Sequence, residues 1–277
     1  MTQMSPGLPL STSGRTPREV TEELIRQAGA LIMSRFKGAL HVEQKGRGNV
    51  VTEVDLLVER LIMDRLAREF PSWGILSEES PKQDSDSGYL WLVDPIDGTK
   101  NFSQGLPIFA VNLALAYQDE VILGLTYDPT RDELFLAEKD NGAWLNGEPM
   151  HVSDKERVQE CLLDFDMGYD NERARLVLEF LTSLWPGVQS LRNIGSAALG
   201  IAYVAAGRLD LYIHHLLSPW DYAPGILLVQ EAGGVVTERD GSPVSLHTEG
   251  LVAANAAVHR DLLRLAADHP WRWAGLR

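Results

Sequence analysis

Cysteine is almost absent: the 277 residues contain one, Cys161. That excludes an internal disulfide and a paired-cysteine metal knuckle, and it fits a reducing compartment such as the cytoplasm. Nowhere do about 18 apolar residues run uninterrupted, so no membrane span is expected. The first fifteen residues are rich in Ser, Thr, Pro and Gly and lack the apolar centre of an export signal; they read as a flexible tail. Positive charge is scarce. With 25 Lys and Arg against 39 Asp and Glu, the formal net charge is −14. Such a surface is poorly suited to gripping nucleic-acid phosphates, but it suits a chain that holds divalent cations with carboxylates. Also missing is any Gly-x-x-x-x-Gly-Lys-Ser/Thr phosphate loop. Gly46-Arg47-Gly48 has no third glycine, which speaks against a dinucleotide site. Gly195-Ser196 lacks the flanking glycines of a nucleophile elbow, and Cys161 lies in an apolar run. The one histidine pair, His214-His215, is expected on a strand, where adjacent side chains face opposite ways and make a poor zinc site.

What is present is an ordinary globular share of hydrophobic residues, 44%, enough for a substantial core. At roughly 150 residues per domain the length allows one large or two modest domains. Thr16-Pro17-Arg18-Glu19 has the form of a capping box that opens a helix through Val20, Leu24, Ala28 and Leu31. A second helix is expected through Leu57, Val58, Leu61, Ile62 and Leu66, ended by Pro71. Short apolar runs at 73–76 and 89–93 read as buried strands, and 111–117 with 121–127 as a hairpin. Asn141-Gly142 marks another hairpin between 134–137 and 143–145. From about residue 160 strands and helices alternate: helices over 171–184, 196–206, 221–232 and 257–267, with strands between. The pattern predicts a tail (1–15), an α+β half with a helix pair on a largely antiparallel sheet (16–155), and a layered α/β half (156–277).

The densest chemical signal is Trp91-Leu92-Val93-Asp94-Pro95-Ile96-Asp97-Gly98-Thr99. An apolar strand runs into two carboxylates separated by a stiffening proline, and Gly98 then frees a turn. Rigidly spaced carboxylates at a strand end are what hard cations such as Mg²⁺ require. The amides of Gly98 and Thr99 could meet a phosphate oxygen at a helix start. Asp-Pro and Asp-Gly are also ordinary turn formers. Four further acids stand apart: Asp55 in the second helix, Glu78 and Glu79 after a strand, and Asp221 after Trp220. Singly, the Glu pair reads as a solvated loop and Asp55 and Asp221 as helix caps.

As a set, these segments resemble the inositol monophosphatase family, magnesium-dependent and lithium-sensitive phosphatases of sugars and nucleotides. The matching segments are Val51-Thr52-Glu53-Val54-Asp55, Glu78-Glu79, Asp94 to Thr99, Gly195-Ser196-Ala197-Ala198, and Trp220-Asp221-Tyr222-Ala223-Pro224-Gly225. The resemblance implies a layered α-β-α-β-α sandwich and two or three Mg²⁺ ions per site. Glu78, Asp94 and the Ile96 carbonyl would hold the first, Asp94, Asp97 and Asp221 the second, and a looser third would lean on Glu78. Thr99, bonded to Asp55, would orient and help deprotonate the attacking water. Asp97, Gly98, Thr99, Ser196, Ala197, His214 and Asp221 would contact substrate. A small phosphorylated metabolite and a homodimeric state are implied; a nucleic-acid or membrane partner is not.

Four positions depart from the family pattern. Ser77 replaces a common Gly, with little effect expected. Pro224 is expected in the first turn of its helix, where a missing amide hydrogen costs least. Gly200 replaces an acid and would loosen its helix. His214 stands where a Glu often meets ring hydroxyls. It would accept a bond if neutral, attract a second phosphate if protonated, or simply face solvent. The expected reaction is hydrolysis of inositol 1-phosphate. Fructose 1,6-bisphosphate, 3′-phosphoadenosine 5′-phosphate, NADP and histidinol phosphate are alternatives. A regulatory role through contacts with the transcription or RNA-processing machinery is the rival of another class.

Overall fold

The computed structural model describes residues 8–46 and 49–275. Helix α1 (Pro17–Arg35) opens on the expected capping box, with Thr16 N donating to Glu19 Oε2 at 2.8 Å. A short hairpin of β1 (Val42–Gly46) and β2 (Asn49–Thr52) follows, which the sequence reading missed. Thr52 then caps α2 (Glu53–Glu69), whose buried stripe is Val54, Val58, Ile62 and Leu66; Leu57, expected inside, is exposed. Next come β3 (Gly74–Ser77), β4 (Tyr89–Asp97) and the short helix α3 (Thr99–Ser103). The meander β5 (Ala110–Tyr117), β6 (Glu120–Asp128), β7 (Glu133–Glu138), β8 (Gly142–Leu145) and β9 (Glu148–Pro149) completes a seven-stranded sheet in sequential order. Only the β3–β4 pair is parallel.

The remaining chain contributes β10 (Leu162–Phe165), α4 (Asn171–Leu184), β11 (Ser190–Arg192), α5 (Ala197–Ala205) and β12 (Leu211–Ile213). It ends with α6 (Pro219–Glu231), β13 (Val235–Glu238), β14 (Leu251–Ala254), α7 (Ala256–Leu265) and α8 (Pro270–Trp273). The five strands form a mixed sheet in the order β11-β10-β12-β14-β13. Layers alternate as expected. Helices α1 and α2 cover one face of the large sheet, α5 and α6 lie between the sheets, and α4, α7 and α8 cover the far side.

Strand β5 shows how the sequence builds this. Val111, Leu113 and Leu115 point toward α1 and α2, while Ala110, Ala114 and Ala116 point toward α5 and α6. Small side chains on that second face let α6 lie close to the sheet. On β6, Gly124 extends the clearance: a Cβ there would meet Pro224 O at 2.8 Å and Pro224 Cα at 2.9 Å.

Three expectations need correction. Residues 1–7 lie outside the described residues, but the rest of the expected tail is docked. Ser11 is buried, Thr12 N donates to Glu69 O at 2.9 Å, and Ser13 Oγ to Glu69 Oε2 at 2.7 Å. Helix α6 starts two residues earlier than read, because Ser218-Pro219 supplies the start signal. Pro224 therefore sits in the helix interior, beyond the first turn. Gly200 does not loosen α5: a Cβ would come within 2.6 Å of Tyr212 Cε2 and 2.7 Å of Asp164 Oδ2, so packing requires the glycine.

Replacing Gly124 by Ala should force α6 off the sheet and cost about 1–3 kcal/mol, the usual range for overpacking a dense core. Urea unfolding measures this, and an unchanged midpoint would show that α6 does not depend on the close approach.

Candidate active site

Asp94 and Asp97 lie three residues apart, a spacing that puts side chains on opposite faces of a regular strand. Here the pairing shifts: Asp94 faces Asn112 and Asp97 faces Ala110, so three steps on β4 match two on β5. This bulge, at Pro95-Ile96, brings both carboxylates toward α6. Asp221, at the third position of α6, supplies another, its Oδ2 accepting from Ser218 N at 2.7 Å. One oxygen from each of Asp94, Asp97 and Asp221 falls within 4.8 Å of the others. Asp94 and Asp97 are buried, and no Lys or Arg reaches the trio among the described residues.

Burial raises all three acids, and repulsion adds to it, from Glu78, Asp97 and Asp221 at Asp94, from Asp97 and Glu78 at Asp221, and from Asp166 at Asp97. Asp97 is pushed up to about 7, while Asp94 and Asp221 are raised well above the usual carboxylate range. Asp97 keeps partial relief because its Oδ2 accepts from Ser196 Oγ and, at 3.2 Å, from Ala198 N. An all-oxygen donor set with unbalanced charge fits a hard divalent cation.

The trio opens on a cavity of about 640 Å³ also lined by Glu78, Ile96, Gly98, Thr99, Ala197 and His214. A larger but open depression of about 860 Å³ beside Glu156, Gln159 and Gly187 gathers none of the candidate residues. Gly98 has a φ of +87°, and a Cβ there would meet Ile108 O at 3.0 Å, so the turn into α3 requires glycine. Thr99 Oγ1 lies 3.1 Å from Asp55 Oδ1 and 2.8 Å from Ile96 O. Asp55 is fully buried behind Thr99, and burial raises its carboxyl to about 6 against the opposing hydrogen bonds from Thr52 and Thr99. Asp55 thus completes the Thr52 capping box, as its position suggested, and also reaches the cavity wall through Thr99.

Glu78 lines the cavity without joining the trio. It sits 3.4 Å from Lys45 Nζ, which also pairs with Glu79. Burial raises Glu78 to about 7 against the pull of Lys45. Its loop is held by Glu59, one turn after Asp55 on α2, which accepts from Ser77 Oγ, from Glu79 N at 3.0 Å and from Ser80 Oγ at 2.7 Å. Ser77 is therefore a buried part of the clamp, contrary to the small effect expected of it. Ser196, expected to meet substrate, is instead buried away from the cavity lining, where it bonds Asp97 and caps α5.

The histidines also differ from expectation. Strand β12 ends at Ile213, so His214 and His215 are not bound by strand alternation; their rings stack with centroids 5.3 Å apart. His214 is buried, not facing solvent. Its Nδ1 accepts from Leu216 N at 3.0 Å, so Nε2 carries the hydrogen of the neutral ring. Burial and the nearby His215 and Arg239 hold its pKa well below the usual value, which argues against a cationic role near neutrality. Lys100, Tyr169 and Asp166 are among the cavity residues that escaped the sequence reading. Lys100 Nζ lies over the Tyr169 ring, 4.6 Å from its centroid, and burial raises the neighbouring Asp166 to about 7. Lys100 directly follows Thr99, and that adjacency was the available signal.

Comparison with known proteins agrees with this geometry. The family model described as inositol monophosphatase family matches residues 15–270. An inositol-1-monophosphatase of Synechocystis is 39% identical over 260 residues, covering 91% of this chain and 90% of its own. A fructose-1,6-bisphosphatase/inositol-1-monophosphatase of Thermotoga maritima is 35% identical over 247 residues, covering 89% of this chain and 94% of its own. The crystal structure of the extragenic suppressor protein suhB from Bartonella henselae superposes with a TM-score of 0.87 at 34% identity, over 94% of this chain and 99% of that one. Fold, cavity and sequence thus converge, and the chain belongs to the inositol monophosphatase family.

Proposed function

We propose that this protein hydrolyses a phosphate monoester with the help of bound Mg²⁺, and that inositol 1-phosphate is its first substrate. The observation that carries the reading is the Asp94, Asp97 and Asp221 cluster, which pairs with no Lys or Arg among the described residues and opens on the same cavity as Thr99. The name of the Synechocystis relative, an inositol-1-monophosphatase, supports the choice of ester. Asp94, Asp97 and Asp221 would hold one ion, Glu78, Asp94 and the Ile96 carbonyl a second, with a looser third against Glu78. When bound, these cations would neutralise the ester's charge, lower the pKa of water and stabilise the departing alkoxide.

The chain's own groups do the rest. Thr99 has one hydroxyl hydrogen and two acceptors in reach, Asp55 Oδ1 and Ile96 O. Donating to Asp55 leaves the Thr99 oxygen free to accept from water and releases the Ile96 carbonyl. A carboxyl near 6 at Asp55 can take up a proton through that chain close to neutral pH. His214 presents a donor N–H, not the acceptor a Glu would offer, and so suits a hydroxyl or anionic oxygen on the alcohol. A second reading, fructose 1,6-bisphosphate, is favoured by Lys100, whose ammonium at the cavity wall suits a second phosphate. Lithium inhibition and a homodimer rest on family membership alone.

Phosphate release from a panel of inositol 1-phosphate, fructose 1,6-bisphosphate, 3′-phosphoadenosine 5′-phosphate, NADP and histidinol phosphate is expected to be Mg²⁺-dependent and greatest for the first. Full turnover in excess chelator would overturn the mechanism. Asp94→Asn should lower kcat/KM by about 100-fold or more while raising the melting temperature of the metal-free protein, because it relieves the repulsion. Loss of activity together with loss of stability would instead point to a structural role.

A pH dependence follows from the raised acids. Carboxylates of the unfolded chain titrate near about 4, whereas burial raises Glu78 and Asp97 to about 7 and lifts Asp94 and Asp221 well above the usual carboxylate range. The folded state therefore binds more protons, and metal-free stability falls as pH rises. Buried His214 and His215, held low by burial, act in the opposite sense below about pH 6.5. The melting temperature in chelator should thus fall between about pH 6.5 and 7.5, and the stabilising effect of Mg²⁺ should grow over that window. A flat or rising metal-free curve there would contradict the burial of these charges.

A further inference from the structure

Pro224 lies inside α6, where it has no N–H to give the carbonyl four residues back, that of Trp220. That turn of helix carries Asp221. The missing donor has a visible replacement in the neighbouring strand. Asn112 Nδ2 donates to Asp221 O at 2.9 Å and lies 3.3 Å from Trp220 O. The amide cannot turn over without setting its oxygen against two carbonyls. Its Oδ1 is anchored on the other side by Thr126 Oγ1 at 2.7 Å. Asn112 and Thr126 are both buried, at 1% and 0% exposure, so water does not substitute for these bonds. Gly124 on β6 gives Pro224 the clearance to sit against the sheet.

Asn112 is also the β5 residue directly opposite Asp94. One side-chain amide therefore ties the strand position facing Asp94 to the helical turn that bears Asp221. We propose that Asn112 is a positioning residue of the divalent-cation site: it stands in for the N–H that Pro224 lacks and fixes the Trp220-Asp221 turn against β5, so that the Asp221 carboxylate meets Asp94 and Asp97. This rests on the reading of that trio as a cation site. Asn112 touches neither cation nor ester; it acts through Asp221. Asn112, Thr126, Gly124 and Pro224 form a unit in which each residue makes sense of the others. A proline inside a helix ordinarily leaves a carbonyl bare, and a buried Asn on an apolar strand face ordinarily lacks partners.

The test is a double-mutant cycle read by Mn²⁺ binding, by calorimetry or by the spin-resonance signal of free Mn²⁺, alongside the Mg²⁺ concentration for half-maximal phosphate release. Asn112→Ala is expected to weaken Mn²⁺ binding about tenfold or more and to raise the half-activating Mg²⁺ by a similar factor. The rate at saturating Mg²⁺ should change much less. Pro224→Ala restores the helical N–H and should leave binding near that of the unaltered protein. In the Pro224→Ala background, Asn112→Ala should then cost no more than about twofold, a coupling that a general packing defect does not produce. Should Asn112→Ala fold poorly, Thr126→Val removes the anchor of the amide while keeping its bulk, and is expected to weaken Mn²⁺ in the same direction. Equal losses from Asn112→Ala in both backgrounds, or unaltered Mn²⁺ binding in Thr126→Val, would overturn the role of Asn112 alone. An unaltered protein that binds no Mn²⁺ would instead remove the cation site itself, and both readings with it.

Discussion

The constraint on which the rest of the molecule depends is electrostatic. Asp94, Asp97 and Asp221 are held within 4.8 Å of one another, the first two buried and the third half-buried at the cavity wall. With an effective dielectric of about 20, two full charges this close repel by about 4 kcal/mol. A chain free to relax would let them part. The fold prevents it by pinning each carboxylate to a different element. Ile96 N donates to Asp94, the start of α5 holds Asp97, and Ser218 N at the start of α6 holds Asp221. Each donor satisfies an oxygen and leaves the group's charge for whatever enters the cavity. The anchoring is spread over one strand and two helices, so no single loop carries it.

That arrangement explains why α6 is so tightly placed. It is buried nearly all round, between the small-residue face of β5 and β6 and the second sheet. A helix in that position cannot slide without either opening a void beneath Pro224 or colliding with Gly124. The alanines of β5 set the distance, while the bulge in β4 sets the direction of Asp94 and Asp97. Packing and site geometry are therefore a single problem here.

Much of this was legible in the amino-acid sequence, and the failures have identifiable causes. Helices α1 and α4 have strong caps and a clear apolar stripe, and the β5–β6 and β7–β8 hairpins have alternation and turn residues; all were read. The β1–β2 hairpin was missed because its first strand, Val-Glu-Gln-Lys-Gly, has no apolar alternation to detect. The docking of Thr12 and Ser13 on Glu69 was missed because it is a long-range polar contact to the end of α2. The Asp94 to Thr99 segment declared itself, yet Glu59 and Asn112 did not. A buried Glu inside an amphipathic helix and an Asn within Ala-Val-Asn-Leu-Ala have no local signature; their meaning comes from Ser77 and Pro224, far away in sequence. Ser196 was misplaced for the same reason: its motif is local, but its partner Asp97 is not.

The same charges that define the site also set the order in which it can be filled. With Glu78 and the trio ionised, these four carboxylates alone present four negative charges to the cavity and repel a doubly negative ester. Lys45 is already engaged by Glu78 and Glu79, and Lys100 alone is one charge against several. Compensation can come from protons or from cations. Protons suffice at low pH, because burial has raised these acids, but they leave nothing to activate water. Divalent cations held by these acids would both cancel the charge and supply that activation, and would displace the protons on binding. The raised acids are therefore the physical link between pH, cation and ester, and the tight seating of α6 keeps that link from relaxing away.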